Sequence, residues 1–175
     1  LLTLGQVLLR LSPPDNERLS RGDTFVKQVG GAELNVAVGA ALLGLHTGVI
    51  SKLPAHDIGS FMKGKIRSFG VSDDFFMYDQ SPAARVGIYY YENGAYPRKP
   101  KVIYDRNHSS FFSLDIDEIP EEVYTASKCF HTTGITLALN EDIRETTIEM
   151  IKRFKAAGTL VSFDVNFRGN LWTGD

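Results

Sequence analysis

The sequence predicts an α/β fold in which a parallel sheet lies between two layers of helices and carries a small antiparallel lid. Three segments have the apolar spacing of amphipathic helices, and each is followed by a short apolar run with the length of a buried strand. Strands that alternate with helices form parallel sheets covered on both faces. A Tyr-rich hairpin signal in the middle of the chain predicts the lid.

Length and composition agree with one globular unit. The chain has 175 residues, of which 43% are hydrophobic and 23% are charged, so it can bury a substantial core. The net charge of −2 favours neither a nucleic acid nor an anionic membrane as partner. The single cysteine, Cys129, fits a reducing cytoplasm, where we expect the protein, and no apolar stretch of the sequence is long enough to span a membrane.

The first element is an apolar, strand-like run within residues 1–11, and the first helix follows the paired glycines Gly30 and Gly31. The apolar positions of this helix lie on one face, and Gly44 is near its end. These positions are Leu34, Ala37, Val38, Ala41, Leu42 and Leu45. Because they repeat with helical spacing, we expect all of them to face the sheet.

The second helix has Asp57 as its predicted N-cap and Gly70 as its end, and the third has Asn140 and Gly158 in these roles. The second apolar stripe is Ile58, Phe61, Met62, Ile66 and Phe69, and the third is Ile143, Thr147, Met150, Ile151 and Phe154. Both helices are followed by apolar runs that read as strands.

The lid is predicted from residues 85–107, where a Tyr-rich run, Asn93-Gly94 and a second Tyr-containing run follow one another. Tyr and Ile enrichment around an Asn-Gly pair is typical of antiparallel strands joined by a turn. We expect further lid strand within about residues 13–29. A lid can exclude water from a binding site, and the alternative is an edge hairpin that binds nothing.

A binding site is predicted at the start of the first helix. Adjacent glycines let a ligand approach bare backbone, and the amides of Gly31, Ala32 and Glu33 at a helix N-terminus favour an oxygen-rich or anionic group. Asn35 lies one turn further on. The alternative is a tight turn between a strand and a helix, without a ligand.

The lid contains side chains that suit a carboxylate. Tyr104 and Arg106 are two residues apart, so on a strand they share a face, and Tyr89 lies on the preceding run. A guanidinium binds a carboxylate through two hydrogen bonds, and a phenol adds a third. The alternative is an exposed strand face with an arginine that extends into solvent.

The last predicted strand ends in Asp164, Asn166 and Arg168. Ligands of open α/β sheets bind beyond the carboxyl ends of the strands, so Arg168 is placed to reach a phosphoryl group or a substrate anion. The alternative is an Asp164–Arg168 ion pair that holds the loop. The four histidines have no spacing typical of a metal site, and we predict no metal ligands in this sequence.

Taken in order, these stretches resemble the ribokinase-like, or pfkB-type, family of sugar kinases, in particular its branch that acts on 2-keto-3-deoxygluconate. The matching stretches are Gly5 with Leu9-Arg10-Leu11-Ser12-Pro13-Pro14, Gly30-Gly31-Ala32-Glu33-Leu34-Asn35-Val36-Ala37, Lys52-Leu53-Pro54 with Asp57-Ile58-Gly59, Gly87-Ile88-Tyr89, Val102-Ile103-Tyr104-Asp105-Arg106, Gly134-Ile135-Thr136, and Asp164-Val165-Asn166-Phe167-Arg168 with Leu171-Trp172. The resemblance covers essentially the whole chain.

This resemblance implies ATP- and Mg²⁺-dependent phosphorylation of 2-dehydro-3-deoxy-D-gluconate to its 6-phosphate. The substrate-binding residues that it implies are Gly31, Ala32, Glu33, Leu34, Asn35, Tyr89, Tyr104, Asp105, Arg106, Ile135 and Arg168. The nucleotide side is implied to be Asn166, Phe167 and Arg168. Lid strands leave an exposed edge, so we also expect a homo-oligomer that pairs through the lid.

Two features depart from the family pattern. Gln6 stands where relatives usually carry an acidic residue, and the Gly-Ala-Gly-Asp motif that supplies the family's catalytic aspartate is absent from the sequence. We therefore expect residues 1–175 to be the N-terminal portion of a single kinase domain, with the catalytic Asp and most of the nucleotide site beyond Asp175. On this view the chain alone is inactive.

Three other functions remain open at this stage. A fructokinase or a nucleoside kinase would have the same fold with a neutral substrate, and Arg106 distinguishes these from a kinase for sugar acids. A non-catalytic module that binds sugar acids would lack the Gly-Ala-Gly-Asp loop altogether. A nicotinamide-dependent oxidoreductase needs a glycine fingerprint after a strand, and the sequence contains none.

Overall fold

A computed structural model describes residues 1–172, which form two sheets with helices packed on both faces of the larger one. The strands are β1 (Leu2–Leu4), β2 (Leu8–Ser12), β3 (Val26–Gly30), β4 (Thr47–Pro54), β5 (Val71–Ser72), β6 (Phe76–Asp79), β7 (Gly87–Glu92), β8 (Lys101–Asp105), β9 (Cys129–Thr133) and β10 (Leu160–Asp164). The α-helices are α1 (Ala32–Leu42), α2 (Asp57–Ser68), α3 (Gly134–Leu137) and α4 (Glu141–Ala156), and short 3₁₀ turns span Ser110–Ser113, Ile116–Glu118 and Glu121–Thr125.

The larger sheet is parallel throughout and confirms the predicted α/β class. Its strands lie in the order β10-β9-β1-β4, and the free edge of β4 pairs with β5 near its start and with β6 near its end. We call this the main sheet. Because each parallel connection crosses from one end of the sheet to the other, the carboxyl ends of its strands gather at a single edge.

Successive residues of β4 show how the three layers form. Val49 packs with Met62 and Ile66 of α2 on one face of the main sheet, whereas Ile50 packs with Met150 and Phe154 of α4 on the other. Strand side chains alternate between faces, so a run of apolar residues supplies both cores at once. This confirms the prediction of a sheet covered on both sides.

The smaller sheet is the lid, and its strands lie in the order β3-β2-β7-β8. The pairs β2/β3 and β7/β8 are antiparallel, while β2 and β7 run parallel. Strand β2 belongs to the apolar run that the sequence presented as one strand, because the chain leaves the main sheet after Leu4 and enters the lid at Leu8.

The lid differs from the prediction in two further places. Residues 13–25 contain no strand, because Pro13 and Pro14 cannot donate to a ladder and turns follow them. The turn predicted around Asn93-Gly94 is part of a longer connection over residues 93–100, in which Ala95 and Arg98 form an isolated bridge.

Helix ends and stripes are largely as predicted, with two corrections. The amide oxygen of Asn140 accepts from the Ile143 amide at 2.9 Å and caps α4, whereas α2 is capped by the ring of His56 and not by Asp57, which is its first residue. Three predicted stripe residues, Leu42, Leu45 and Phe69, are exposed (77%, 58% and 36%), because α1 ends at Leu42 and faces the sheet through Leu34 and Ala37, and α2 ends at Ser68. No helix in residues 1–172 is both long enough and apolar enough to cross a membrane.

Candidate functional site

A cavity of about 310 Å³ lies between the lid and the carboxyl edge of the main sheet. We call it the main cavity. It brings together most of the predicted binding residues, although they come from five separate parts of the chain. Its walls are Gln6, Leu8, Arg10, Gly31, Ala32, Glu33, Asn35, Tyr89, Tyr91, Val102, Tyr104, Arg106, Ile135 and Arg168.

The base of the main cavity is the N-terminus of α1. Gly31 is the N-cap residue and has a φ of 153°, which side chains rarely adopt. A Cβ at this position would also lie 2.7 Å from the backbone oxygen of Gln6. Gly31 therefore lets the chain turn sharply from lid strand β3 into α1, and the free amides of the first helical turn suit oxygen-rich groups.

Glu33 was predicted to bind substrate, but its carboxylate is hydrogen-bonded within the chain. Its side chain is 2% exposed, and its Oε1 accepts hydrogen bonds from Thr133 Oγ1 at 2.6 Å and Thr136 Oγ1 at 2.8 Å. A side chain at Gly5 would collide with the same carboxylate. We call Gly5, Glu33, Thr133 and Thr136 the Glu33 cluster, and it ties α1 to the end of β9.

Leu34 and Asp105 lie outside the main cavity. Leu34 is buried against the core between the main sheet and α2. Asp105 lines a smaller cavity of about 210 Å³, which shares Tyr104, Arg106, Ile135 and Arg168 with the main one. The Asp105 carboxylate accepts from Arg85 Nη2 at 2.8 Å, so its charge is already paired.

Two tyrosines face each other on the lid. Tyr89 on β7 and Tyr104 on β8 are directly opposite in the antiparallel pair, with ring centroids 5.9 Å apart. Burial raises the pKa of Tyr89 above its ordinary value, so its phenol keeps its proton at neutral pH and can donate a hydrogen bond. The hydroxyl of Tyr89 reaches back to Gly30 at the start of the helix turn.

Arg106 follows β8 and points its charge into the main cavity. Its Nε donates to Gln6 Oε1 at 2.7 Å, and its guanidinium lies 5.7 Å from the centroid of the Tyr104 ring. Burial lowers the pKa of Arg106, while Tyr104 and Glu33 raise it, and an arginine remains charged at neutral pH in any such setting. Within residues 1–172, no carboxylate forms a salt bridge with it.

The loop after β10 supplies one of the three residues predicted there. Arg168 lines both cavities, whereas Asn166 and Phe167 line neither, and Phe167 is 65% exposed. The Asp164 carboxylate accepts from the Asn166 amide at 3.0 Å. The alternative of an Asp164–Arg168 ion pair is not found among the described side chains.

Ile135 reaches the main cavity from the first turn of α3, where the Ile135 amide donates to Thr133 Oγ1 at 3.1 Å. The preceding Gly134 lies against the backbone oxygen of Val165, and a side chain there would collide with it. This close approach brings the end of β9 beside the loop that contains Arg168.

Several cavity residues were not predicted, among them Arg10, Tyr91 and Val102. They alternate along β2, β7 and β8 with residues that face away, so the two-residue strand period was the available signal. For Tyr91 and Val102, which lie two residues from Tyr89 and Tyr104, the signal was present in the sequence, whereas for Arg10 it could be used only once residues 8–12 were known to belong to the lid. Arg10 donates from Nε to Ser12 Oγ at 2.9 Å and lies over the Tyr91 ring.

The electrostatics of the main cavity favour an anion. Three arginines (Arg10, Arg106 and Arg168) line it against a single carboxylate, that of Glu33, whose Oε1 accepts from two threonine hydroxyls. Across the 172 described positions, no group of three His, Cys, Asp or Glu side chains is arranged to hold a metal ion. The cavity can thus hold a small polyhydroxy molecule with a negative charge near the lid.

Comparison with known proteins agrees with this geometry. The pfkB family carbohydrate kinase pattern matches residues 1–174. A 2-dehydro-3-deoxygalactonokinase of Haloferax volcanii is 39% identical over 173 residues, which are 99% of this chain and 54% of that protein. The crystal structure of 2-dehydro-3-deoxygluconokinase from Thermotoga maritima has a TM-score of 0.92 at 37% identity, covering 98% of this chain and 52% of the other.

The crystal structure of an uncharacterized sugar kinase from Pyrococcus horikoshii in complex with ATP has a TM-score of 0.84 at 28% identity. The match covers 99% of this chain and 55% of the other. The chain therefore spans about half the length of the relatives it matches. The family is shown by the match over nearly all residues, and the shared fold and the cavity at the sheet edge agree with it. This chain belongs to the pfkB family of carbohydrate kinases.

Proposed function

We propose that the full-length protein catalyses the ATP-dependent phosphorylation of 2-dehydro-3-deoxy-D-gluconate to its 6-phosphate. The observation that carries the proposal is Arg106, a partly buried guanidinium in the main cavity that forms no salt bridge within residues 1–172. A charge in such a position is costly unless a ligand pairs with it. A sugar acid supplies that pair, whereas a neutral sugar does not.

The other cavity residues fit the rest of such a substrate. Arg106 and Tyr104 would bind the carboxylate, with Tyr89 donating from the same face of the lid. The backbone of Gly31 and Ala32 and the side chain of Asn35 would bind hydroxyls. Ile135 would contact the carbon chain. In this orientation the carboxylate lies beneath the lid, and the far end of the sugar points toward Arg168.

ATP would supply the phosphoryl group, and Arg168 is the described cavity residue suited to its oxygens, because guanidinium groups bind phosphates strongly. We propose that Asn166 and Phe167 position this loop. The phosphate acceptor hydroxyl needs a base, and Glu33 is unsuitable since two threonines occupy its Oε1. We therefore place the base, and any Mg²⁺ ligands, outside residues 1–172.

A second candidate substrate is 2-dehydro-3-deoxy-D-galactonate, because the Haloferax volcanii relative carries that name. Both acids would place the same carboxylate beneath the lid, so Arg106 cannot discriminate between them. A fructokinase or nucleoside kinase would leave Arg106 without a partner. A non-catalytic module would bind the acid with no transfer.

The test is an ATP-coupled assay of the full-length protein with 2-dehydro-3-deoxygluconate, 2-dehydro-3-deoxygalactonate and fructose. We expect turnover with one or both acids and little with fructose. Preference for fructose would overturn the acid assignment, and calorimetric binding of an acid without turnover would support the non-catalytic module. The chain of residues 1–175 alone should show no turnover, and turnover there would show that the base lies within it.

We also propose a homo-oligomer that pairs through the lid. Strand β8 is an edge strand whose residues are all exposed, including Val102, Ile103 and Tyr104. Exposed apolar edge strands tend to pair with another chain. Light scattering of the full-length protein at micromolar concentration should give a dimer or larger mass, and a monomer mass would contradict the proposal.

A further inference from the structure

We propose that Arg85 is a positioning residue for Arg106: it binds the residues on either side of Arg106 and so fixes the direction in which that guanidinium enters the main cavity. Arg85 lies two residues before β7 and outside the main cavity. Where it concerns substrate affinity, the inference rests on the proposed function, because Arg106 is the residue that would bind the acid.

The guanidinium of Arg85 spans the end of lid strand β8. Its Nη2 donates to Asp105 Oδ1 at 2.8 Å, and its Nη1 donates to the backbone oxygen of Asn107 at 3.2 Å. Asp105 is the last residue of β8 and the last to pair with β7. Arg106 and Asn107 have left the ladder, so Arg85 supplies a hydrogen bond that holds the chain beyond the point where strand pairing stops.

The backbone of Arg85 is itself attached to the main sheet. Ser110 is 3% exposed, its amide donates to the Arg85 oxygen at 2.9 Å, and its Oγ accepts from the Arg85 amide at 3.2 Å. The same Oγ donates to Asp79 Oδ2 at 2.8 Å, and Asp79 is the last residue of β6. Arg85 therefore reaches the neighbours of Arg106 from a backbone that is fixed at both its amide and its oxygen.

Direction matters at Arg106 because its terminal nitrogens carry the proposed contact. Gln6 uses the Nε of Arg106 and donates from Nε2 to its backbone oxygen at 3.2 Å, and neither Nη1 nor Nη2 has a partner within residues 1–172. A guanidinium binds both oxygens of a carboxylate only when its planar fork faces them. A change in backbone direction at Arg106 would weaken that contact without removing any charge from Arg106.

The Arg85–Asp105 pair is too exposed to act mainly through stability. The two side chains are 39% and 53% exposed, and ion pairs at such exposure contribute little to the free energy of unfolding because water screens them. A planar guanidinium with two hydrogen bonds still restricts the geometry of both partners. Loss of Arg85 should therefore appear in substrate affinity more than in stability.

The first experiment compares Arg85→Lys with Arg85→Met in the full-length protein. Both lose the two-partner contact, since a lysine has a single ammonium group, but only Arg85→Met also loses the charge. We expect KM for 2-dehydro-3-deoxygluconate to rise about three- to tenfold in both, within the range of couplings in one hydrogen-bond network, with little change in kcat or in KM for ATP. A wild-type KM in Arg85→Lys would overturn the proposal, since Arg85 would then act through its charge alone.

Arg98→Lys is the matched control. Arg98 lies in the connection between β7 and β8 and likewise binds one carboxylate and one backbone oxygen, through Nη1 to Glu92 Oε1 at 2.7 Å and through Nη2 to the oxygen of Asn16 at 2.6 Å. None of these three residues lines the main cavity, so KM should stay at the wild-type value. An equal rise in KM would mean that loosening any part of the lid impairs binding, and it would overturn the assignment to Arg85.

A double-mutant cycle tests whether the effect passes through Arg106. In the Arg106→Ala background, Arg85→Lys should cause no further loss of kcat/KM for the acid, because the group that Arg85 positions is absent. Additive losses would overturn the proposal. Melting temperatures show that each variant is folded.

A readout without substrate separates this proposal from the proposed function. In NMR spectra of nitrogen-labelled arginine side chains, the Nε–H signal of Arg106, identified by its absence in Arg106→Ala, should shift in Arg85→Lys and keep its position in Arg98→Lys. An unmoved signal in Arg85→Lys would overturn the proposal whatever the substrate is. Turnover of the wild-type protein with fructose in place of the acids would overturn the proposed function alone.

Discussion

Two charged groups in the wall of the main cavity, Glu33 and Arg106, are held in opposite ways. The Glu33 carboxylate is enclosed by Gly5 and receives hydrogen bonds from two threonine hydroxyls. Arg106 receives one neutral contact from Gln6 at its Nε, and its terminal nitrogens have no partner within the described residues. Both belong to sequence motifs typical of the family, yet Glu33 is hydrogen-bonded within the chain whereas Arg106 is open to the cavity.

Structural charges and binding charges differ in where their hydrogen-bond partners lie. A buried charge that is hydrogen-bonded within the chain depends on those partners, and removing one of them destabilises the protein. A charged group that faces a cavity with unpaired N–H groups can still form hydrogen bonds and an ion pair with a ligand. Removing a partner of a structural charge should lower the free energy of unfolding, whereas removing a binding charge should weaken substrate affinity.

The largest effect is expected from Arg106→Ala. It should weaken binding of 2-dehydro-3-deoxygluconate by about 2–5 kcal/mol, the range for truncating one member of a buried charge pair. Binding of a neutral sugar should change little, and the free energy of unfolding should stay near that of the wild type. Steady-state kinetics with both substrates measure the difference. Equal loss for acid and neutral sugar would contradict the role of Arg106.

Thr136→Val tests the other side of the comparison. It removes one hydroxyl donor from the buried Glu33 carboxylate, and a hydrogen bond to a charged group contributes about 1.5–3 kcal/mol. We expect that loss in the free energy of unfolding from urea denaturation. The ratio of acid to neutral-sugar affinity should be unchanged.

The matched control is Thr147→Val. Thr147 is fully buried in α4, and its hydroxyl has no partner among the described residues, so replacing it with valine should be neutral or stabilising. If both variants lose the same stability, the Glu33 cluster has no special contribution.

Gly31→Ala changes the N-cap of α1, which lies between the Glu33 cluster and the main cavity. The φ of 153° and the approach of the Gln6 backbone oxygen predict a loss of about 1–3 kcal/mol in the free energy of unfolding, together with a higher KM for any sugar. Gly39→Ala, within the same helix and with nothing within 4 Å of the added carbon, should instead stabilise by about 0.5–1 kcal/mol. A similar response of the two glycines would refute the close-approach argument.

The smallest effect is expected from Asn35→Ala. Its neutral amide lines the main cavity, and one neutral hydrogen bond contributes about 0.5–1.5 kcal/mol. Acid and neutral sugars should therefore lose affinity alike, in contrast to Arg106→Ala. Val36→Ala, at an exposed neighbouring position outside the cavity, serves as the reference. A selective loss for the acid would place Asn35 at the carboxylate instead of at the hydroxyls.

Local sequence patterns predicted much of this molecule. The stripe and cap of α4 were predicted correctly because helical periodicity and capping depend on residues a few positions apart. The Gly30-Gly31 pair predicted the turn into α1, and the two-residue spacing of Tyr104 and Arg106 predicted a shared face. Both residues line the main cavity. The α/β class follows from the same local signals.

Contacts between distant residues could not be predicted in this way. The apolar run at residues 1–11 divides between two sheets, because β1 pairs with β4 and β9 while β2 pairs with β3 and β7. The bonds from Thr133 to Glu33 and from Arg106 to Gln6 each span 100 positions. Strand pairing brings these side chains together, and the residues next to each of them in sequence do not indicate which strands will pair.

The fold class, the glycine turn at the start of α1 and the arginine on the lid thus follow from local sequence patterns alone. The three-dimensional arrangement was needed to show that Glu33 accepts from two threonines, that Asp105 is paired with Arg85, and that the terminal nitrogens of Arg106 have no partner among the described residues. The physical reason is that composition and spacing show which charges a chain has, whereas burial and hydrogen-bond partners decide which of those charges remain available to a ligand.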